Sequence, residues 1–550
     1  MNRVQLWRVG RCAVASALIC GCQNELFSDH EEIVGPPTST KEIGPFDPAT
    51  ESEIPPQSLA DAVSEAQSHG FSPPVYEDKT SVTIADVRAM ALANNLDLRV
   101  VQFDPTIGIT RIDEELAKFE AVLNAAYTKN TTGFLTQLEE SVSADASNAN
   151  LGVSVPLATG GSISAGTLIN QADQGASALP GYEPYEAGLQ FSISQPLLQG
   201  AGIATNTASI RIAKYQGRMV DARTKLQTIR ILADAEKAYW NLYRASKQLE
   251  VRVSQFEVAQ AQLEQARRRV EQELAPEIEV IRAQSGVSGT IEQVIVADNI
   301  LRLRQRDLKR FMNDPRLPVE SPTSIAPITN AEPVNLKFND ERLIADAMAA
   351  RMELLELELQ LLVDAEQIDL ARNAALPNFV VSYQYQYLGD STSIGSAYAA
   401  LGDGDGYTLG VNATVPIGNE AAKSRISRAI LTRLQRLGTR EARRQSVTQE
   451  VLNAADSVEN TWRRILAARL EAVLAGRTLE GERRQFDVGL RTSTDVLDAA
   501  ARVADAQSRE VDALAGYQIA LIDLAFATGT TLGSSGIVLP EPVDPASVRE

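Results

Sequence analysis

The longest regular pattern in the chain is a seven-residue spacing of apolar positions. It runs through Leu242, Leu249, Phe256, Leu263 and Val270, and again through Val451, Val458, Ile465, Ala472, Leu479 and Phe486. A heptad stripe of this kind marks a helix that packs along its whole length. No proline lies between Pro196 and Pro276 or between 421 and 488, so the pattern predicts unbroken helices from about Asn206 to Gln272 and from about Ala421 to Val488. At about 1.5 Å per residue each approaches roughly 100 Å. Ala238, Ala245, Ala259 and Ala266 flank the first stripe and let a neighbouring helix come close.

Between the helices the period changes to two. Phe379, Val381, Tyr383, Tyr385 and Tyr387 alternate with Val380, Ser382, Gln384 and Gln386. Leu409, Val411, Ala413 and Val415 alternate with Gly410, Asn412 and Thr414, and Leu189, Phe191 and Ile193 with Gln190, Ser192 and Ser194. Such runs predict strands with one apolar and one mostly polar face, of a length that suits a bilayer-crossing barrel. Tyr127, Tyr182, Tyr185 and Tyr407 near strand ends suit an interfacial aromatic girdle. A further hairpin, Leu151 to Leu157 and Ser162 to Ile169 around Thr159-Gly160-Gly161, occurs in the first half alone. Two places suit it, the barrel itself or an extracellular loop. Pro196, Pro377 and Pro416 mark the changes between helix and strand.

These elements read as two copies of one plan: helix, strands, very long helix, turn, helix. The first copy, 81–333, begins where Thr83 and Asp86 can cap a helix carrying Val87, Ala91, Leu92 and Leu98. The second, 334–532, begins with a similar helix around Asp340 to Leu354, and a tail, 533–550, follows. Ahead of both, 22–80 is acidic and punctuated by Pro36, Pro37, Pro45, Pro48, Pro55, Pro56, Pro73 and Pro74, the composition of an extended tether.

Composition agrees with long helices rather than a thick core: of 550 residues, 5% are aromatic and 44% hydrophobic. With 71 acidic and 52 basic residues the formal charge is −19, which disfavours a nucleic-acid partner. Arg3, Arg8 and Arg11 precede an apolar run from Cys12 to Ile19 that is too short to span a bilayer, so 1–21 reads as a signal peptide. Ile19-Cys20-Gly21-Cys22 is similar to a bacterial lipobox, which makes Cys22 the expected lipidation site; an ordinary signal peptide cut nearby uses the same segments. All three cysteines fall in this segment, leaving the mature chain no thiol pair for a disulfide or thiolate metal cage. Several acyl chains would anchor the N-terminus to outer-membrane lipid.

Backbone groups in lipid must be paired internally, so an open sheet of about four strands cannot cross a membrane alone. Strands from several chains are required. The duplicated helix-strand-strand-helix plan, the QPLLQGAG stretch from Gln195 to Gly202 and the FDVGLRTSTDVLDA stretch from Phe486 to Ala499 resemble the TolC-like outer-membrane efflux protein (outer membrane factor) family over roughly Val82 to Leu532. The lipidated cysteine matches its lipoprotein branch. The resemblance implies a mainly α fold with a membrane β-barrel portion: a homotrimeric periplasmic α-barrel continuous with a shared twelve-stranded β-barrel, four strands per chain. It further implies docking to a periplasmic adaptor and an inner-membrane pump, as the exit duct of a tripartite efflux or type I secretion system.

The GLRTSTDVLDA segment joins two helices, and Gly489 can take the left-handed conformation that ends the long one. Asp495 and Asp498 are one turn apart, so both carboxylates can face one way. The resemblance makes them an acidic ring at the periplasmic entrance and Arg491 the latch of a closed tip. The same residue types also suit a plain helix start, with Asp495 as a cap and Asp498 solvated. The corresponding turn of the first copy, QELAPEIEV, lacks the glycine and arginine and carries Pro276 and Glu279. That difference suggests unequal roles, gating at the second tip and adaptor contact at the first.

No cofactor is expected, and no enzyme. The only histidines, His30 and His69, lie in the tether, and the chain carries neither HExxH nor a phosphate-cradling glycine loop. The competing reading is a structural or adhesive coiled-coil lipoprotein without channel activity. Cargo stays open, since a passive duct takes its specificity mainly from pump and adaptor.

Overall fold

The computed structural model describes residues 58–59, 61–62, 71–76, 78–135, 141–173 and 183–535. Cys22, Tyr182 and the signal segment lie outside them, as do most of the tether and of the tail. The chain divides into two units, Met1–Ser72 and Pro73–Glu550. In the first, the Ala62 N–H donates to the Ser58 carbonyl at 3.0 Å. The second holds both repeats.

The first repeat runs β1 (Lys79–Val82), α1 (Ile84–Asn94), α2 (Leu96–Val101), α3 (Phe103–Leu116), β2 (Val122–Leu135), β3 (Ser141–Pro156), β4 (Ser162–Asp173), β5 (Tyr185–Pro196), α4 (Ile203–Asn206), α5 (Ala208–Glu271), α6 (Ile278–Met312) and β6 (Ser324–Pro327). The second runs α7 (Asp340–Ala350), α8 (Met352–Asn373), β7 (Asn378–Ser391), α9 (Ile394–Ala399), β8 (Gly404–Thr414), α10 (Glu420–Asp487), α11 (Ser493–Thr528) and α12 (Thr531–Ser535). The two long helices have 64 and 68 residues and lie within two residues of their predicted ends.

The heptad stripes form the core. Leu242, Leu249, Phe256 and Leu263 are buried, with Ala245, Ala259 and Ala266 beside them. Val451, Val458, Ile465, Leu479 and Phe486 are buried on α10, whereas Val270 and Ala472 are half-buried. α11 packs on α10 and on α5, with Tyr517 and Leu524 against Val458 and Ile465. By length and composition α11 is the one described helix apolar enough to cross a membrane. Its small and aliphatic residues are instead buried in this packing.

In the second unit the first described strand or helix is β1, a few residues before the predicted start at Thr83, and it pairs in parallel with β6. Four residues are too few to display a period, so neither strand is legible in the pattern. Fully buried Tyr239 on α5 fastens this pair: its hydroxyl donates to the Val82 carbonyl at 3.3 Å and accepts the Thr329 N–H at 2.9 Å. Thr83 and Asp86 do form a capping box. The helix predicted over Asp340 to Leu354 is two helices, broken at Arg351 as the first repeat is broken at Asn95.

Arg351 is 4% exposed and pairs with Glu353 at 2.9 Å and Glu450 at 2.6 Å, while also donating to the Ala527 carbonyl at 3.0 Å. The break between α7 and α8 is thereby tied to α10 and to the end of α11. Burial alone would raise the Glu353 carboxyl, but its own backbone N–H and Arg351 hold it below the ordinary carboxylate range.

Candidate functional site

The larger sheet has six strands in the order β2-β3-β4-β5-β7-β8, every neighbour antiparallel. The expectation of four strands per chain is therefore corrected to six. The 151–169 hairpin is the reason: β3 and β4 insert between β2 and β5 in one continuous ladder and do not form a loop. β2 is the other strand that the sequence pattern hid, since its VLNAAYTKNTTGFL alternates only weakly.

Register makes the sheet two-faced from edge to edge. Leu123, Val153, Ala165, Phe191, Tyr385 and Tyr407 form one row across all six strands. Leu151, Leu189, Ile193, Tyr383 and Leu409 lie on the same face and are exposed. On the opposite face a typical row is Asn124, Gly152, Gly166, Gln190, Gln386 and Gly406. That face is mostly Asn, Gln, Ser, Thr and Gly, with Val122, Ala126, Leu168, Val380 and Leu388 among them, and is uncharged until Glu186 and Asp390 near its far end, where Glu186 accepts from the Asn170 amide at 2.8 Å. A broad exposed apolar face backed by a neutral polar one fits lipid on one side and water on the other.

Tyrosines contribute differently from the predicted girdle. Tyr185 opens β5, but Tyr127 and Tyr407 sit inside their strands, because the pattern did not show β2, and β8 starts further upstream than it indicated. Tyr407 stacks on Tyr383 with ring centres 6.4 Å apart. The short α9 lies over the apolar face at its far end, with Ala397 buried above Gly389 and the Tyr398 hydroxyl bonded to Thr167. A side chain at Gly389 would strike the α9 backbone.

At the other end the sheet passes into the helices through QPLLQGAG. Gly200 and Gly202 adopt φ of 78° and 96°, and Asn206 donates to both of their carbonyls at 2.9 Å. Asn373, from α8 of the second repeat, accepts the Gly200 N–H at 2.8 Å. The Thr159-Gly160-Gly161 turn of the inserted hairpin docks here: Gly202 donates to the Thr159 carbonyl at 3.0 Å, and the Thr159 hydroxyl donates to the Gln195 side chain at 2.8 Å. Gly160 has no room for a side chain against the Gly200 carbonyl.

The helices end in two matching tips. Gly489 ends α10 at φ 81°, donating to Phe486, while Leu490 donates to Gln485. Glu273 ends α5 at φ 59°, donating to Val270, while Leu274 donates to Arg269. Both are the same left-handed helix stop, so Glu273 occupies the place of Gly489. The sequence showed only that glycine was missing, not that a glutamate adopts its conformation.

The residues singled out at the tips divide between local and shared roles. Asp495 accepts the Thr492 backbone N–H at 2.9 Å and its hydroxyl at 2.8 Å, a capping box that holds its carboxyl below the usual range. Asp498 is exposed on α11. Arg491 pairs with Glu482 at 3.1 Å and donates to Gln485 at 3.1 Å, both on α10. Pro276 precedes α6 and accepts the Glu279 N–H through its carbonyl at 3.0 Å. Glu279 reaches across to the second tip, accepting the Ser493 backbone N–H at 2.8 Å while pairing with Arg282 at 2.6 Å. Arg269 bonds the Phe486 carbonyl and lies over its ring, 4.9 Å from the centre.

Comparison with known proteins follows these features. Residues 343–530 match the family described as Outer membrane efflux protein. The outer membrane protein TolC of Vibrio cholerae is 26% identical over 374 residues, 67% of this chain and 81% of that protein. The fold superposes on the Campylobacter jejuni CmeC outer membrane channel with a TM-score of 0.61 at 13% identity, covering 82% of this chain and 86% of that one. The open state of the Neisseria gonorrhoeae MtrE channel gives 0.59 at 16% identity, covering 84% and 98%. VceC of Vibrio cholerae gives 0.60 at 14%, covering 81% and 96%. The second repeat thus matches the Outer membrane efflux protein family, and the chain as a whole has the fold of these outer membrane channels.

Proposed function

We propose that this protein is the outer-membrane exit duct of a tripartite efflux or type I secretion system. Three copies enclose a lumen, and a periplasmic adaptor and an inner-membrane pump dock at the helix tips. The observation that carries the reading is the two-faced sheet, apolar on one side and neutral-polar on the other, joined through QPLLQGAG to helices of 64 and 68 residues. Such a sheet cannot end openly in lipid, so its edges call for further copies. Lipidation at Cys22 holds the N-terminus to the outer membrane. The protein is a passive conduit and no enzyme.

At the entrance, Asp495 and Asp498 of three copies make two acidic layers that attract cations. Exposed Asp498 is the freer ligand, whereas Asp495 presents charge from a fixed cap. Arg491, held to Glu482, latches the second tip, and the first tip with Pro276 and Glu279 faces the adaptor.

The test is extraction from outer membranes followed by planar-bilayer recording. Heat-labile oligomers that conduct ions are expected, and a monomer that is soluble once lipid is removed, with no conductance, would return the chain to the class of spacer lipoproteins. Asp495→Ala with Asp498→Ala should weaken divalent-cation block of that conductance; unchanged block removes the gate.

A further inference from the structure

Six strands per chain change the barrel that the duct reading implies. β2 and β8 are the two edges of the sheet, 14 and 11 residues long, and neither contains a proline. The edge devices that usually block strand addition are scarce: Lys129 on β2 is already paired with Asp145 of β3 at 3.0 Å. Because the sheet has an even number of strands, β2 of one copy meets β8 of the next in antiparallel orientation, as every pair within the sheet does. Both strands have their helix-side ends on the same level, β2 starting at Val122 after α3 and β8 finishing at Thr414 before α10.

We infer that β2 and β8 are the mutual docking edges of neighbouring copies and that three copies close an eighteen-stranded barrel, with the β3–β4 hairpin as a wall element of each. This inference rests on the trimeric duct reading and deepens it. The hairpin qualifies as wall on three grounds. Its strands have 16 and 12 residues, enough to span the hydrocarbon layer. Between its turn and Ile169 its side chains continue both faces of the sheet, and Asp145, Ser147 and Gln171 turn the apolar side polar only at the far end. Its turn is bonded into the joint that leads to α5.

With strands about 4.8 Å apart and tilted by about 40°, eighteen strands enclose a backbone diameter of about 36 Å and twelve strands about 24 Å. After side chains are allowed for, the wider lumen has roughly three times the cross-section. Its wall is the mostly Asn, Gln, Ser, Thr and Gly face, with Leu168, Val380 and Leu388 on it, free of charge down to Glu186 and Asp390. Along this uncharged stretch the wall suits bulky polar cargo, and its fixed charge, from Glu186 and Asp390, is acidic.

Cysteine pairs in the full-length protein, oxidised in intact outer membranes with single-cysteine controls, separate the outcomes. Leu123→Cys with Val153→Cys, and Ala165→Cys with Phe191→Cys, should close disulfides within one chain. Leu123→Cys combined in turn with Val411→Cys, Ala413→Cys or Val415→Cys should give, for at least one pair, a covalent trimer that reduction dissolves. Linkage of Leu123→Cys to Phe191→Cys in place of the two intrachain pairs would mean that β2 lies beside β5 with the hairpin outside the wall, and would overturn the inference while leaving a conducting trimer. Covalent dimers alone would replace three copies by two and also overturn it. Loss of every intermolecular link together with absence of conductance in the unmodified protein would instead bring down the duct reading itself.

Discussion

Glu279, near the start of α6, accepts the backbone N–H of Ser493, the first residue of α11, at 2.8 Å. The first repeat thus supplies a cap to a helix of the second, and the two tips are one mechanical unit. Glu279 is only 8% exposed. Its removal leaves a buried donor without a partner, a loss of about 2 kcal/mol for a bond to a charged group. Glu279→Ala should therefore speed hydrogen exchange of the first turn of α11 and raise channel opening, with Glu279→Gln intermediate. Unchanged exchange at Ser493 would show that the contact carries no load.

The same carboxylate sets an acid limit on the tip. Burial would raise Glu279, but the Ser493 N–H and the Arg282 guanidinium outweigh it and hold the group below the ordinary range. Asp495 is lowered as well, through the Thr492 backbone and side chain. A depressed folded-state value contributes stability that is fully present above the unfolded value and is lost as pH falls through the folded one. Tip protection should stay level from neutral pH to about 5 and fall below about 4, where carboxylates ordinarily begin to take up protons. Loss of protection already near pH 6 would point to another group.

Glu273 and Gly489 share one left-handed stop but differ in its cost. A side chain in this conformation costs about 1 kcal/mol relative to glycine. Glu273→Gly should stabilise the first tip and Gly489→Ala should destabilise the second, each by about that amount in thermal unfolding in detergent. Shifts of the same sign for both substitutions would contradict their equivalence.

Arg351 holds the break between α7 and α8 to α10 and α11 through Glu353, Glu450 and the Ala527 carbonyl. Arg351→Ala leaves Glu353 and Glu450 bridged by Arg443 alone, at 3.2 and 3.0 Å, and strips the Ala527 carbonyl of its buried donor, at a cost of about 2 kcal/mol. Arg351→Lys should recover part of this, because one ammonium cannot match the fork that reaches all three partners. Equal melting temperatures for Ala and Lys variants would show that packing over Phe526, and not charge, is what Arg351 supplies.

Much of the helical half was legible because heptads are long: dozens of residues repeat one signal, and α5 and α10 end within two residues of the expected positions. Strands with strict alternation, β5, β7 and β8, were equally readable. β2 was not, since Asn124, Ala125 and Ala126 blur its two faces, and β1 and β6 are too short to show any period. At the tips the residue types marked the turn and its cap, while the bond between Glu279 and Ser493 spans 214 positions of chain. No local pattern can signal a contact at that separation.

The sequence by itself determined the duplicated plan, the helix lengths, the two-faced strands and the capping chemistry of Thr83 with Asp86, because each depends on neighbours a few positions apart. Tertiary structure decided how many strands one chain contributes, since pairing of β2 with β3 and of β4 with β5 is set by the ladder and by the docking of Gly160 at the QPLLQGAG joint. It likewise decided that Glu273 does the work of a glycine, a conformation imposed by the hairpin of helices around it rather than by its own preference.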